Sequence, residues 1–333
     1  MIHATAEGTA HLAAAHPAYQ ARGFYRTVFG LTVSTLGIGT YLGAMDDAAD
    51  RAYTEALIAA GEGGINFFDT AINYRNQRSE GCIGEALRRL PRDGIVLCTK
   101  AGFLTPGAVP GFLDPDDVVG GSHSMEPRFL AHQIERSRSN LGVDAIDVLY
   151  LHNPETQLAF RTRVEFEERI RRAFGRLERA VAEGKIRWYG AATWDGLRLK
   201  NELSLPRLVQ LAHDEGGAGH HFRFIQLPFN LSMVEAFAGG AESVLETAAR
   251  HGLAVVASAT LLQTRVLEQM PDGVAKLLPG LASNAQRAIQ FTRSTPGIAV
   301  ALVGMGRRAH VEHNLGVARV APLARDRYLR LYR

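Results

Sequence analysis

The chain has 333 residues, 46% of them hydrophobic and 21% charged, with a formal net charge of +3 at pH 7. That length leaves room for two average domains or for one barrel with a large core, and the composition is that of an ordinary globular protein. The small net charge gives no basic face for nucleic acid, and no apolar run approaches the roughly 18 to 20 residues that span a bilayer.

Residues 1–20 lack the basic start and compact apolar stretch of a secretory leader, so the cytoplasm is the expected compartment. The two cysteines, Cys82 and Cys98, are too few for a disulfide framework and have no metal-binding spacing, so both are expected to be buried thiols.

Apolar, strand-like runs lie near residues 34–39, 64–69, 94–100, 145–151, 186–192, 222–228, 253–258 and 298–303. Amphipathic helical segments alternate with them, among them 48–61, 79–90, 127–141, 166–183 and 242–251. Pro127 suits a first helical turn, and Gly142, Gly184 and Gly252 suit C-terminal caps. Within 166–183 and just before it, arginines interleave with Glu165, Glu167, Glu168 and Glu178 at helical spacing, which reads as a solvated face. Eight alternating units with mostly short links predict parallel strands closed into a (β/α)8 TIM barrel. A doubly wound open sheet would want a Gly-x-Gly-x-x-Gly turn, and Leu36-Gly37-Ile38-Gly39-Thr40-Tyr41 lacks the third glycine.

In such a barrel the site lies where the strands end. Asp69 ends the second run, with Tyr74 five positions on; Lys100 ends the third, His152 closes the fourth and Gln226 lies in or near the sixth. Singly, each has an ordinary reading as a turn, packing or solvated residue; coinciding at consecutive strand ends, they make chemical sense. Reducing a carbonyl by hydride leaves an alkoxide, which needs a proton and hydrogen-bond donors as its charge develops. A tyrosine is a weak acid, with an unperturbed pKa of about 10. An adjacent ammonium favours its phenolate, and a carboxylate keeps that ammonium charged and oriented. A histidine can hold and polarise the carbonyl oxygen. Asp69, Tyr74, Lys100 and His152 fill these parts without a metal. The long links 101–125 and 261–283, carrying Phe103, Leu104, Phe112, Leu261 and Leu262, are expected to wall an apolar substrate pocket, with disordered insertions as the bland alternative.

These residues also carry a resemblance. Phe29-Gly30-Leu31-Thr32-Val33-Ser34-Thr35-Leu36-Gly37-Ile38-Gly39-Thr40, Asp69-Thr70-Ala71 with Tyr74, Ser79-Glu80 with Ile83-Gly84, Thr99-Lys100 and Leu151-His152 are similar to segments of the aldo-keto reductase superfamily. Gly304 after the eighth strand places the likeness in its bacterial and potassium-channel-β-like branch. The resemblance implies an N-terminal β-hairpin, a single barrel domain over 24–333 with a C-terminal helical tail, and an arm over 1–23 that would read alike packed across the barrel bottom or loose. It implies a small carbonyl substrate, NADP(H) before NAD(H) as cofactor, and the tetrad Asp69, Tyr74, Lys100 and His152.

On the cofactor side it implies Gly39, Thr40, Tyr41, Asp69, Thr193, Gln226, Ser258, Leu261, Gly304, Arg307, Arg308 and Asn314. Three departures stand out. Ala192-Thr193-Trp194 replaces the usual Ser-Asn, Ser258 stands where an aromatic ring stacks on the nicotinamide, and His310 and His313 replace residues near the adenosine phosphate, leaving Arg307 and Arg308 for a 2′-phosphate. Two other readings compete: a nicotinamide-binding regulatory protein with slow turnover, and a metal hydrolase. The second wants His-x-His or carboxylate clusters at strand ends, whereas His220-His221 precedes the sixth strand.

Overall fold

A short antiparallel hairpin, β1 (Tyr25–Val28) and β2 (Leu31–Ser34), precedes eight parallel strands. These are β3 (Leu36–Gly39), β4 (Phe67–Asp69), β5 (Val96–Ala101), β6 (Ile146–His152), β7 (Ile186–Ala192), β8 (Phe222–Pro228), β9 (Ala254–Ser258) and β10 (Ile298–Gly304). Each pairs with its successor and β10 pairs with β3, so the ring is closed, as the alternating pattern predicts. The computed structural model describes residues 3–199, 202–238, 242–268, 270 and 272–332. Among the described residues no helix is long and apolar enough to cross a membrane.

Helices return the chain between strands, and their ends follow local chemistry. Asp46 caps Asp47–Glu62, Pro127 opens Pro127–Leu141, and Thr162 with Glu165 forms a reciprocal capping box at Arg163–Ala182. Gly142, at φ 64°, ends Pro127–Leu141 in the left-handed conformation. The helix expected over 79–90 stops earlier, at Leu87, because Pro91 disfavours helical backbone ahead of it. Leu205–Gly216 and Asn284–Ser294 supply two more of the outer helices.

Side chains alternate along the strands between two apolar layers. Phe67, Cys98, Val148, Tyr150, Phe224, Val256 and Val300 fill the barrel interior, while Phe68, Leu97, Leu149 and Ile225 pack outward against the helices. Both cysteines are free and buried, as expected.

The floor of the barrel is plugged from the N-terminal side. Ala4, Leu31 and Val33 join the interior cluster. Asp147, fully buried at the start of β6, accepts from the Ala4 and Leu97 amides at 2.8 and 2.9 Å and from Arg92 at 2.7 Å. Arg187 closes the contact by donating to the Ala4 carbonyl at 2.7 Å. The helix Ala6–Ala14 then lies so close to residue 93 that a Cβ on Gly8 would meet the Asp93 carbonyl oxygen at 2.5 Å. Residues 3–15 are thus a packed part of the floor.

The link after β5 is ordered rather than a disordered insertion. Leu104 donates to the Ser122 carbonyl at 2.7 Å and Ser124 to that of Gly102 at 2.8 Å. His123, fully buried, ties this loop to the next strand. Its Nε2 faces the His152 carbonyl at 2.8 Å, which requires a proton there, and its Nδ1 accepts from Gln157 Nε2 at 2.9 Å. Burial pushes the His123 imidazole down to about 4. The link after β9 is built from the 3-10 turn Leu262–Leu267 and the helix Asp272–Leu277.

Two outcomes test this framework. Asp147→Ala leaves two buried amides without an acceptor and takes from Arg92 its carboxylate partner, so a loss of about 3–5 kcal/mol is expected in urea unfolding, with faster amide exchange across residues 4–14; a change below about 0.5 kcal/mol would show that this carboxylate does not secure the arm. For His123 the folded value of about 4 lies below the unfolded value of 6.5. The unfolded chain therefore binds more protons between those limits. Stability from this group is full above about pH 6.5 and declines by on the order of 3 kcal/mol as pH falls to about 4. His123→Gln should lack that component of the slope, and equal slopes in variant and wild type would exclude His123 as its source.

Candidate active site

The residues expected at the strand ends meet at one mouth of the barrel. Lys100 and Asp69 stand on adjacent strands, and Lys100 Nζ donates to Asp69 Oδ1 at 2.6 Å and to the Thr70 carbonyl at 2.8 Å. The other carboxylate oxygen of Asp69 accepts from Gln226 Nε2 at 2.8 Å, a bond that reaches from β8. Asp69 is 3% and Lys100 1% exposed, so the pair is shielded from water. Lys100 Nζ stands 4.7 Å from the centre of the Tyr74 ring. The His152 ring lies edge-on to Tyr74 at 5.7 Å, and Phe103, from the loop after β5, packs edge-on against His152 at 4.9 Å.

Burial works against charge on Lys100, but Asp69 and Tyr74 more than offset it and hold the ammonium above its usual range. Burial raises the Asp69 carboxyl, against the pull of Lys100 and Gln226. For Tyr74 an adjacent ammonium by itself would lower the phenol. In the structure burial dominates and Asp69 adds to it, so the phenol lies above its ordinary value even though Lys100 draws it down. His152 is driven well below the usual imidazole range by burial, Lys100 and His123, so it is neutral at pH 7. Its Nδ1 is buried without a hydrogen-bond partner among the described residues.

Tyr74 is presented by an unusual turn. Arg75, Asn76 and Gln77 have φ of 49°, 54° and 71°, three successive non-glycine residues in the left-handed region, at a cost on the order of 1 kcal/mol each. Gln77 then takes the N-cap position of the helix Arg78–Leu87, without a side-chain capping bond. The Ser79-Glu80 pair that follows braces the site rather than facing it. Ser79 Oγ donates to the Thr40 carbonyl at 2.7 Å, and the buried Glu80 carboxylate accepts from Thr99 at 2.7 Å and Asn140 at 2.8 Å.

The residues read as cofactor contacts fall mostly on the same rim. Gly39 pairs with both Asp69 and Gly304, Thr40 is buried with its Oγ1 3.3 Å from the Asp69 carbonyl, and Tyr41 is exposed with its ring 4.9 Å from that of Tyr74. Thr193 follows β7, its amide donating to the Gln226 carbonyl at 2.8 Å and its Oγ1 buried without a partner among the described residues. Ser258 ends β9, Leu261 precedes the 3-10 turn, and both are half-buried. Gly304 ends β10 in open space, and Arg307 and Arg308 are exposed beside it, Arg308 lying 3.6 Å from Glu312. Asn314 is buried at the far end of Arg308–Asn314. Sequence reasoning missed the Gln226–Asp69 bond, the Thr70 carbonyl on Lys100, and Arg75 and His123. Only His123, in a Gly-rich loop, offered any signal, as an isolated imidazole among glycines and serines.

The fold has many counterparts among solved structures. A Klebsiella pneumoniae aldo/keto reductase solved with NADP and acetate superposes with a TM-score of 0.67 at 23% identity, covering 93% of this chain and 94% of that one. The glycerol dehydrogenase of Gluconobacter oxydans gives 0.70 at 20% identity, covering 93% and 94%. In sequence, a Pseudomonas D-threo-aldose 1-dehydrogenase is 34% identical over 175 residues, 48% of this chain and 50% of that protein. The Escherichia coli NADH-specific methylglyoxal reductase is 29% identical over 186 residues, 54% of each chain. The chain thus spans about half the length of these two relatives. A probable voltage-gated potassium channel subunit beta from Arabidopsis thaliana is 24% identical over 318 residues, 88% of this chain and 90% of that one. The model of the Aldo/keto reductase family matches residues 35–331, and the chain belongs to that family.

Proposed function

We propose that this protein reduces a small aldehyde or ketone to the alcohol, reversibly, with NAD(P)H as the hydride source and Tyr74 as the proton donor. The observation that carries the reading is the buried Lys100–Asp69 pair at 2.6 Å, with its ammonium 4.7 Å from the Tyr74 ring centre, beside a neutral His152.

The rim suits a nicotinamide dinucleotide. The Thr193 hydroxyl is a buried polar group with no partner among the described residues, Gly304 leaves open space at the end of β10, and Arg307 and Arg308 are exposed where they could meet a phosphate, Arg308 by turning from Glu312. Thr193 and Gln226 would hold the carboxamide, and Arg307 and Arg308 a 2′-phosphate, which favours NADP(H) over NAD(H). When bound, the cofactor supplies the hydride.

The chain's own groups do the rest. His152, neutral, donates an N–H to the substrate oxygen and fixes it next to the Tyr74 hydroxyl. Tyr74 gives its proton as negative charge builds on that oxygen. Lys100 stabilises the phenolate left behind, and Asp69 keeps Lys100 charged and aimed. Phe103 and the ring of Tyr41 exclude water from the reacting oxygen.

Incubation with NADPH or NADH and a panel of aldehydes, followed by loss of reduced-cofactor absorbance, should show turnover. Cofactor binding with no turnover on any member would favour the regulatory reading instead. Tyr74→Phe should cut kcat by roughly 10²- to 10⁴-fold with cofactor affinity unchanged; a retained rate would remove Tyr74 as the acid. Reduction uses the protonated phenol, whose value burial holds above 10. The rate should therefore stay level from about pH 7 to 9 and fall only beyond about pH 10, and a decline through neutral pH would contradict that assignment.

A further inference from the structure

Arg75, the residue after Tyr74, is 4% exposed, and its guanidinium is used on every side. Nε donates to the Ala44 carbonyl at 2.8 Å, Nη2 to Asp50 Oδ1 at 2.6 Å, and Nη1 lies 3.6 Å from Cys82 Sγ. Its carbon lies 5.0 Å from the centre of the Tyr53 ring, whose hydroxyl donates to the Leu42 carbonyl. That ring also packs against the chain after β10, since a Cβ on Gly306 would meet Tyr53 Cζ at 3.0 Å. One side chain therefore joins the turn carrying Tyr74 to the loop carrying Tyr41, to the helix Asp47–Glu62, and, through Tyr53, to the segment beside Arg307.

The backbone makes such a clamp necessary. Left-handed φ at Arg75 is not where an unrestrained L-residue rests, so contacts must hold it there. Gln77 is anchored on the opposite flank, accepting from Arg136 at 2.8 Å and donating to the Pro106 carbonyl at 3.0 Å, while Asn76 between them is exposed. We propose that Arg75 is a positioning residue: its guanidinium clamps the 74–77 turn against the 41–45 loop and thereby sets where the Tyr74 phenol stands relative to Lys100 and His152. This rests on the reading of Tyr74 as proton donor.

Arg75→Gly tests it without straining the turn, because glycine accepts φ near 49° freely; the change removes the buried alkyl stem together with the guanidinium, so melting temperature is read beside kcat. Arg75→Lys keeps a charge facing Asp50 but loses the planar fork. Asn76→Gly, which alters the same turn away from the clamp, serves as control. We expect Arg75→Gly to melt within a few degrees of wild type and to bind NADPH within about twofold, while kcat falls on the order of 10- to 100-fold, with Arg75→Lys intermediate and Asn76→Gly unchanged. In protein labelled with 3-fluorotyrosine, the Tyr74 fluorine signal, identified by its loss in Tyr74→Phe, should move in Arg75→Gly and stay in Asn76→Gly. An unmoved signal with unchanged kcat would overturn the proposal, as would losses of kcat, NADPH affinity and melting temperature in parallel, which mark a merely structural role. If the wild type turns over no carbonyl, the proposed function fails, and the fluorine signal still decides whether Arg75 places Tyr74.

Discussion

The ion pair between Lys100 and Asp69 is the constraint around which the mouth of this barrel is organised. Removing two charges from water costs several kcal/mol per ion even after relaxation, and contact at 2.6 Å repays that only when the remaining lone pairs and protons are satisfied. Here they are, by the Thr70 carbonyl on one side and the Gln226 amide on the other. The Gln226 bond spans 157 positions of sequence, so the pair is stable only inside a closed ring that brings β8 opposite β4. Loss of either partner would strand the other charge, a penalty of about 3–5 kcal/mol.

From that pair the electrostatics of the neighbours follow. Burial, reinforced by the fixed ammonium, keeps the imidazole neutral, and the same ammonium opposes, without overcoming, the effect of burial on the half-buried phenol. The result is a weak acid whose conjugate base is cushioned in advance, which is what proton donation to a developing alkoxide requires. The surrounding polar residues are girders. Glu80 accepts from Thr99 and Asn140 behind the site, His123 bonds the backbone at His152, and Arg75 ties the turn after Tyr74 to the Ala44 carbonyl.

The strands and the four central residues were legible because barrel strands are apolar runs of recognisable spacing and because those four polar residues stand at or just past their ends. What the sequence hid is of another kind. Asp147 bonding Ala4, His123 bonding the His152 carbonyl and Arg75 bonding the Ala44 carbonyl are side chains serving distant backbone, and such bonds leave no periodic trace. The left-handed run after Tyr74 contradicts local propensity, so it could be found only from coordinates. The balance on Tyr74 was hidden for a related reason, since an adjacent lysine can be read from a chain but the depth of burial cannot.

Closure of the ring by β10 on β3 also shapes how the chain must be made. At roughly 5–20 residues per second, synthesis takes about 10–50 s to travel from β3 to β10, and through that interval the first barrel strand keeps one side of its backbone without its final partner. An open edge of this sort invites pairing with neighbouring nascent chains. In β3 that edge is four residues long and two of them, Gly37 and Gly39, are glycines, which makes it a poor template for stray β-pairing while the ribosome finishes the ring.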